Sequence, residues 1–254
     1  MPLPNLTILR TYAQKANPAS LPASILFSHT ERSLTIHDAY PKALFHFLTL
    51  PRIQDPFSAS DLVDLRSLLQ CDKARAKDLL VGLRDDVAAV VKEIEEEMVN
   101  RYGFKWDVWT GFHGAPSMVH LHIHIISSDL CSPTLKTKKH LNSFHPKHGF
   151  FLPFTEVLSW FDAEDSYFTT MAALKKSQYE PILKEDLTCW RCEGTFKNMP
   201  ALKTHLQEEF DKLTSREKAK AERKRKLEQK SDLDSAAGEI HKKSKTSVSE
   251  DGAS

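Results

Sequence analysis

Three histidines, His120, His122 and His124, alternate with Leu121, Ile123 and Ile125 in the run VHLHIHIIS at residues 119–127. Side chains alternate across a strand, so this spacing predicts one β-strand with all three imidazoles on one face and the aliphatic residues on the core face. Such a face suits three uses: a half-buried strand whose polar residues happen to be histidine, a metal site, or nucleophilic catalysis. A metal site needs converging ligands; this strand supplies no carboxylate, and His113 would join only if its loop folded back. A nucleophile needs one free imidazole, a group that fixes its tautomer, and donors for charge developing on the substrate. Three imidazoles can divide those tasks, and neutral imidazole attacks phosphorus near neutral pH. His122, flanked on both sides, is the candidate nucleophile.

A second constellation lies at residues 189–209, CWRCEGTFKNMPALKTHLQEE. Cys189 and Cys192 followed by His205 is the C-x2-C-x12-H spacing of a small zinc finger, with Phe196 and Leu202 as the apolar residues it would bury. A second histidine is absent. Glu209 stands four residues after His205 on the same helix face and is the expected fourth ligand, with Glu208 at the i+3 position as the other candidate. Four protein ligands leave no open position for water, so the single zinc ion is expected to be structural.

The elements that must hold these groups follow from periodicity. An opening helix is predicted near residues 5–16, then strands near 25–28, 34–37 and 44–50, joined by connections too short for crossover helices and therefore antiparallel. Leu79, Leu80, Leu83, Val87, Val90, Val91, Ile94 and Met98 recur at helical spacing and predict one long amphipathic helix over 72–102, stopped by Gly103. Strands are predicted over 106–110 and 118–127, with GFHGAPS as the loop between them. The polar, basic stretch 130–148 reads as a surface loop, and 155–178 as a further helix.

The chain has 254 residues, 41% of them hydrophobic, and a formal charge of +1. That balance hides a basic end: from Arg216 onward almost no large apolar residue occurs and the cations fall in blocks such as RKRK and HKKSK. Such a segment cannot bury enough apolar surface to offset its ordering entropy, so a disordered tail over 216–254 is expected, suited to nuclear import or to contact with nucleic acid phosphates. The unpaired spacing of Cys71 and Cys131 argues against a disulfide framework. No signal peptide or membrane span is evident, so a soluble intracellular protein is expected.

The run HLHIHII resembles the histidine-triad signature, and LTIHDAYPKALFHFLTLP at 34–51 resembles the nucleotide-binding strand pair of that superfamily. Together with GFHGAPSMVHLHIHIISSDLCSPTLKTKKHLNSFH, the sequence is most similar to the aprataxin branch, in a form without the forkhead-associated domain; the likeness runs from about Leu21 to Leu213. The resemblance implies an α+β histidine-triad fold, an antiparallel sheet packed by helices, with a catalytic domain over 1–180 and a C2HE zinc finger over 181–215. It implies removal of AMP from 5′-adenylated DNA ends left by abortive ligation. His122 would attack the α-phosphate, His124 and Ser117 would hold phosphate oxygens, and His120 would orient the site. His113 would protonate the departing DNA phosphate. Asp38 would hold the ribose hydroxyls, with Leu34 and Ile36 beside adenine and Lys42 in the adjoining turn. Lys138 and Lys139 would be DNA phosphate contacts by position and charge, a signal of low specificity. The implied partners are adenylated DNA ends, AMP and nicked or damaged duplex DNA, met by a nuclear monomer that does not engage membranes. Two other readings stay open: a general nucleoside phosphoramidate or dinucleotide hydrolase, and a zinc-finger DNA-binding adaptor with an inactive pocket.

Overall fold

The computed structural model describes the backbone of residues 5–246 and the side chains of residues 5–230. Residues 1–4 and 247–254 lie outside it, including the last part of the segment expected to be a disordered tail. A short helix α1 (Ile8–Ala13) precedes strands β1 (Leu26–His29), β2 (Ser33–His37) and β3 (His46–Pro51). Helix α2 (Leu65–Leu69) follows; at five residues it is too short to leave a periodic signal, and it is capped by Asp64, whose side chain accepts from Ser67 N.

Helix α3 (Lys73–Tyr102) takes the predicted span. Asp72 caps its N-terminus by accepting from Arg75 N. Gly103 ends it in the left-handed region at φ 82°, a conformation without steric cost only for glycine. Its buried positions, Ala76, Leu80, Leu83, Val87, Val90, Ile94 and Met98, recur every three or four residues and form the stripe that packs on the sheet.

Strands β4 (Val108–His113) and β5 (Ile123–Ser127), helix α4 (Lys138–Asn142) and strand β6 (Phe151–Pro153) complete the main sheet. Its order is β1-β2-β3-β5-β4-β6, antiparallel at every pairing. Helices α5 (Phe154–Trp160), α6 (Asp165–Ala172) and α7 (Lys176–Tyr179) come next, where one helix over 155–178 was expected. The chain is broken first after Trp160 and again at Leu174, whose φ of 36° no helix can hold.

The stretch 130–148 is not a surface loop. Leu130, Leu135, Leu141 and Phe144 are buried, because they pack under the C-terminal module in a cluster with Ile126 and Phe151, and His145 is buried against His148. That module has a two-stranded ribbon, β7 (Leu187–Thr188) and β8 (Thr195–Phe196), and helix α8 (Met199–Thr246). Helix α8 runs on through most of the segment for which composition predicts disorder. Alanine, lysine, arginine and glutamate are strong helix formers, and Lys226–Glu222 and Lys224–Glu228 pair at i,i+4 spacing. Residues 218–230 are exposed, so this part of the helix has no packed face.

Candidate active site

Strand β5 sits at the centre of the sheet, where His124 lies opposite Leu48 of β3 on one side and Gly111 of β4 on the other. Ile123 and Ile125 face the α3 core, as the alternation requires. The expected strand over 118–127, with three histidines on one face, does not form. β5 begins only at Ile123, and at His120 the backbone turns to φ 117°. The reason is a change of partner. His120 N and Leu121 N donate to the carbonyls of Val63 and Leu62, at 2.9 and 2.8 Å, in the segment leading into α2 rather than in β3. The His120 ring turns inward, and its Nε2 donates to Pro51 O at 2.8 Å.

His122 and His124 stay together, with ring centroids 4.9 Å apart. Two further imidazoles join them. His113 is the last residue of β4, not a loop residue, and its ring stands 4.1 Å from that of His124. His46, the first residue of β3, was not anticipated: its Nε2 lies 3.0 Å from His124 Nδ1. The signal was available, since His46 is an isolated polar residue in the apolar run ALFHFLTL, but sequence cannot say that β3 and β5 become neighbours.

Hydrogen bonds fix the tautomers. His122 Nδ1 lies 2.7 Å from His120 O, and a carbonyl only accepts, so Nδ1 carries the proton and Nε2 presents a lone pair. Lys42 N donates to His46 Nδ1 at 3.1 Å, so His46 holds its proton on Nε2 and gives it to His124 Nδ1. His124 therefore bears its proton on Nε2, which is buried with no partner among the described residues. The site thus groups an unprotonated ring nitrogen on His122, a buried N–H on His124, and His113 Nε2, likewise buried and unpartnered.

Burial disfavours the charged forms. Desolvation, aided by the neighbouring imidazoles His122 and His46, drives the pKa of His113 well below the usual histidine value, and His124 is lowered likewise. His46 falls to about 4, chiefly by desolvation, with Asp38 opposing. His122 is lowered less, because the His120 carbonyl and Asp38 offset part of its desolvation. At neutral pH the site holds neutral imidazoles, the form that attacks phosphorus.

Asp38 Oδ2, His46 Nε2 and His124 Nδ1 lie close enough together to ligate a cation. The tautomer chain argues against that use: a metal on His46 Nε2 needs the proton moved to Nδ1, and that atom faces a donor, Lys42 N. The cluster is a hydrogen-bond relay.

The remaining predicted residues divide. Asp38 borders the site, with Oδ2 3.6 Å from His46 Nε2 and Oδ1 accepting from Tyr40 N at 2.7 Å. Lys42 is half-buried in the same turn, its ammonium bonded to Tyr40 O. Ser117 is exposed in the connection between β4 and β5. Leu34 and Ile36 leave no surface for a base: at 0% and 3% exposure they are core, packed with Leu9 and Ala13 of α1. Lys138 Nζ bonds Lys184 O and Asp186 Oδ1, both at 3.3 Å, which ties α4 to the approach to the C-terminal module; Lys139 is exposed.

In that module Cys189, Cys192 and His205 bring their ligand atoms within 4.8 Å of one another, and Cys192 Sγ is 3.3 Å from His205 Nε2. Tetrahedral zinc with thiolate and imidazole ligands wants donors roughly 3.3–3.8 Å apart, so the donor set fits. Glu209, one turn along α8, is half-buried and Glu208 exposed, but neither carboxylate joins that three-residue cluster; Glu209 instead accepts from Lys212 Nζ at 3.2 Å. The module is docked, not tethered. Leu187, Cys189, Leu202 and Leu206 share a cluster with Ile126, Phe144 and Phe151, and Trp190 stacks edge-on with Trp109 at 4.8 Å.

An antiparallel sheet presenting His113, His122 and His124 in one ring cluster, with a zinc-binding finger packed against it, defines a histidine-triad protein of the α+β class. Residues 10–140 match the family described as scavenger mRNA decapping enzyme C-term binding, and residues 147–212 the C2HE / C2H2 / C2HC zinc-binding finger. The chain is 33% identical over 188 residues to the aprataxin-like protein of Drosophila melanogaster, covering 74% of this chain and 24% of that one. It is 31% identical to the aprataxin-like protein of Schizosaccharomyces pombe, covering 69% and 70%. The crystal structure of the aprataxin ortholog Hnt3 in complex with DNA superposes with a TM-score of 0.60 at 26% identity, covering 83% of this chain and 97% of that one. The chain belongs to the aprataxin family. It spans 24%, 42% and 50% of the fly, Ciona intestinalis and chicken relatives.

Proposed function

We propose that this chain is a DNA repair hydrolase that removes AMP from 5′-adenylated DNA ends left by abortive ligation. The observation that carries the reading is the 2.7 Å bond from His122 Nδ1 to His120 O, which holds the opposite ring nitrogen free and unprotonated in a pocket of buried donors. His122 Nε2 attacks the α-phosphorus, a P–N bond forms, and the P–O bond to the DNA 5′-phosphate breaks with its electron pair on the departing oxygen. His113 supplies that oxygen with a proton, the negative charge of the bound phosphates raising its affinity for one. His124 Nε2–H stabilises charge on the phosphoryl oxygens, with Ser117 brought in from the adjoining turn. Water then attacks the phosphoramidate, the P–N bond breaks, and free His122 and AMP are restored. Asp38 lies where ribose hydroxyls can be held.

DNA as the partner is supported by the likeness to Hnt3, which was solved bound to DNA and to DNA with guanosine. Lys139, with Lys197, Lys203 and Lys212 of the finger, offers sequence-independent phosphate contacts. One structural zinc held by Cys189, Cys192, His205 and Glu209 would fix the finger. The protein acts as a monomer in the nucleus, where its substrate lies. Among the described residues no helix is long and apolar enough to cross a membrane.

The test is AMP release from a nicked duplex carrying a 5′-adenylate, comparing the intact chain with His122→Ala. Release by the former alone, with α-phosphate label recovered on denatured protein as an acid-labile adduct, is expected. Hydrolysis of small phosphoramidates or dinucleotides in preference to the nick would favour a general nucleotide hydrolase. DNA binding by both forms without release would favour a non-catalytic adaptor.

A further inference from the structure

The pocket around His122 does not end at His113. A small recess lined by His113, His120 and His122 shares Asp64, Leu65 and Pro116 with a larger cavity of about 270 Å³. The far wall of the cavity is α2, through Arg66, Ser67 and Gln70, and its rim is the segment holding Leu174 and Lys176.

This cavity is a built feature of the fold. Residues 174–179 are fixed over it from both ends: the chain turns back at Leu174 with φ 36°, and the Tyr179 ring lies so close on Gly114 that a Cβ there would meet it at 2.3 Å. On the other side, Asp64 caps α2, and its Oδ1 takes both Ser67 N at 2.8 Å and Ser67 Oγ at 2.9 Å. Gln70 Nε2 reaches back to Ala172 O at 3.4 Å, which links the two walls. The two cations on the walls, Arg66 and Lys176, form no ion pair among the described residues, whereas Lys73 and Lys77 on the neighbouring α3 are each paired with a carboxylate. The one carboxylate lining the cavity, Asp64, is engaged in its cap.

The chemistry gives the cavity an occupant. In an in-line displacement at phosphorus the leaving group departs opposite the nucleophile, and here it departs past the group that protonates it. A leaving group accepted by His113 must therefore continue beyond His113, and the larger cavity is the open space that His113 lines and His122 does not. We propose that this cavity is the leaving-strand subsite, in which Arg66 and Lys176 engage phosphates of the DNA strand released as AMP passes to His122. The inference rests on the adenylated-DNA reading and deepens it. Arg66 and Lys176 are binding and positioning residues: they hold the strand, not the reacting atoms.

The test compares two substrates that share AMP and differ in leaving group: a nicked duplex with a 5′-adenylate, and adenosine 5′-phosphoramidate, which has no strand. The readout is the ratio of kcat/KM for the nick to that for the phosphoramidate, in the intact chain and in Arg66→Gln, Lys176→Gln and the double variant. Each single substitution is expected to lower that ratio roughly tenfold, the size of one charge-assisted phosphate contact. A nick with neutral methylphosphonates at the first two linkages of the departing strand should lose a similar factor with the intact chain, and little more with the double variant. An unchanged ratio in the variants overturns the subsite, as does a methylphosphonate loss that multiplies fully with the substitutions. An intact chain that cleaves the phosphoramidate and ignores the nick overturns the parent reading and the subsite with it.

Discussion

His46 Nε2 lies 3.0 Å from His124 Nδ1 across the β3–β5 pairing, and Lys42 N holds the far side of the His46 ring. The protonation of the inner imidazole is therefore set from a neighbouring strand. His46→Phe keeps a ring of similar shape but removes the donor, so His124 is free to put its proton on Nδ1 and lose the N–H aimed into the pocket. The expected result is a fall in kcat of about 10²-fold, the usual loss for one preorganised donor, with a smaller change in KM. Single-turnover AMP release measures it; an unchanged kcat would show that His124 is oriented without His46.

Buried neutral histidines make stability depend on pH. His46 and His120 are both lowered to about 4 from an unfolded value near 6.5, in each case mainly by desolvation. Between those values the unfolded chain binds protons that the folded chain refuses, so stability is full above pH 6.5 and is lost as pH falls toward 4. Thermal melts should show a declining Tm from pH 6.5 to 5, before carboxylates begin to titrate, and His46→Phe should flatten that slope. A slope unaltered by the substitution would mean that other groups carry it.

Activity should follow a related rule. His122 is lowered by desolvation, so neutral nucleophile persists below the ordinary imidazole range. The acid limb of kcat/KM for AMP release is expected below pH 6.5; a limb above it would mean that His122 is not the group titrating.

Gly111 in β4 is required by close approach. A Cβ there would meet Leu152 O of β6 at 2.3 Å, and neither backbone can yield without breaking the β4–β6 pairing. Gly111→Ala should cost about 3 kcal/mol, the upper end of overpacking effects, which lowers Tm by roughly 6–12 °C. Calorimetry decides it, and because His113 is two residues along the same strand, AMP release should fall with the fold.

The finger and the sheet share one core, with Phe210 of α8 packed on Trp106 at 5.0 Å and Leu202 and Leu206 in the cluster of Ile126. Zinc removal should therefore lower a single unfolding transition for the whole chain, not melt a separate module. Two resolved transitions after chelation would show that the finger unfolds by itself. Glu209→Ala should weaken zinc retention in competition with a chelator, whereas Glu208→Ala should not.

Local pattern was enough to locate α3, because a three-to-four residue apolar stripe between Asp72 and Gly103 has one solution. The same holds for the three-strand antiparallel run that begins the sheet, and for the Cys189, Cys192 and His205 cluster, whose spacing is itself the signal. The sequence also marked His122 and His124 by residue type and spacing, and His113 through the family resemblance alone. What it could not mark depends on contacts between distant segments. His120 leaves the histidine strand because Val63 and Leu62, nearly sixty residues earlier, supply carbonyls that β3 would otherwise have offered. His46 enters the site because β3 pairs with β5. Leu34 and Ile36 become core because α1 packs on them, and the apolar residues of the basic stretch 130–148 are buried because the finger covers them. Period and spacing report what a segment can form by itself; which carbonyl accepts a ring proton, and which face is left open for substrate, are decided only when the sheet has closed.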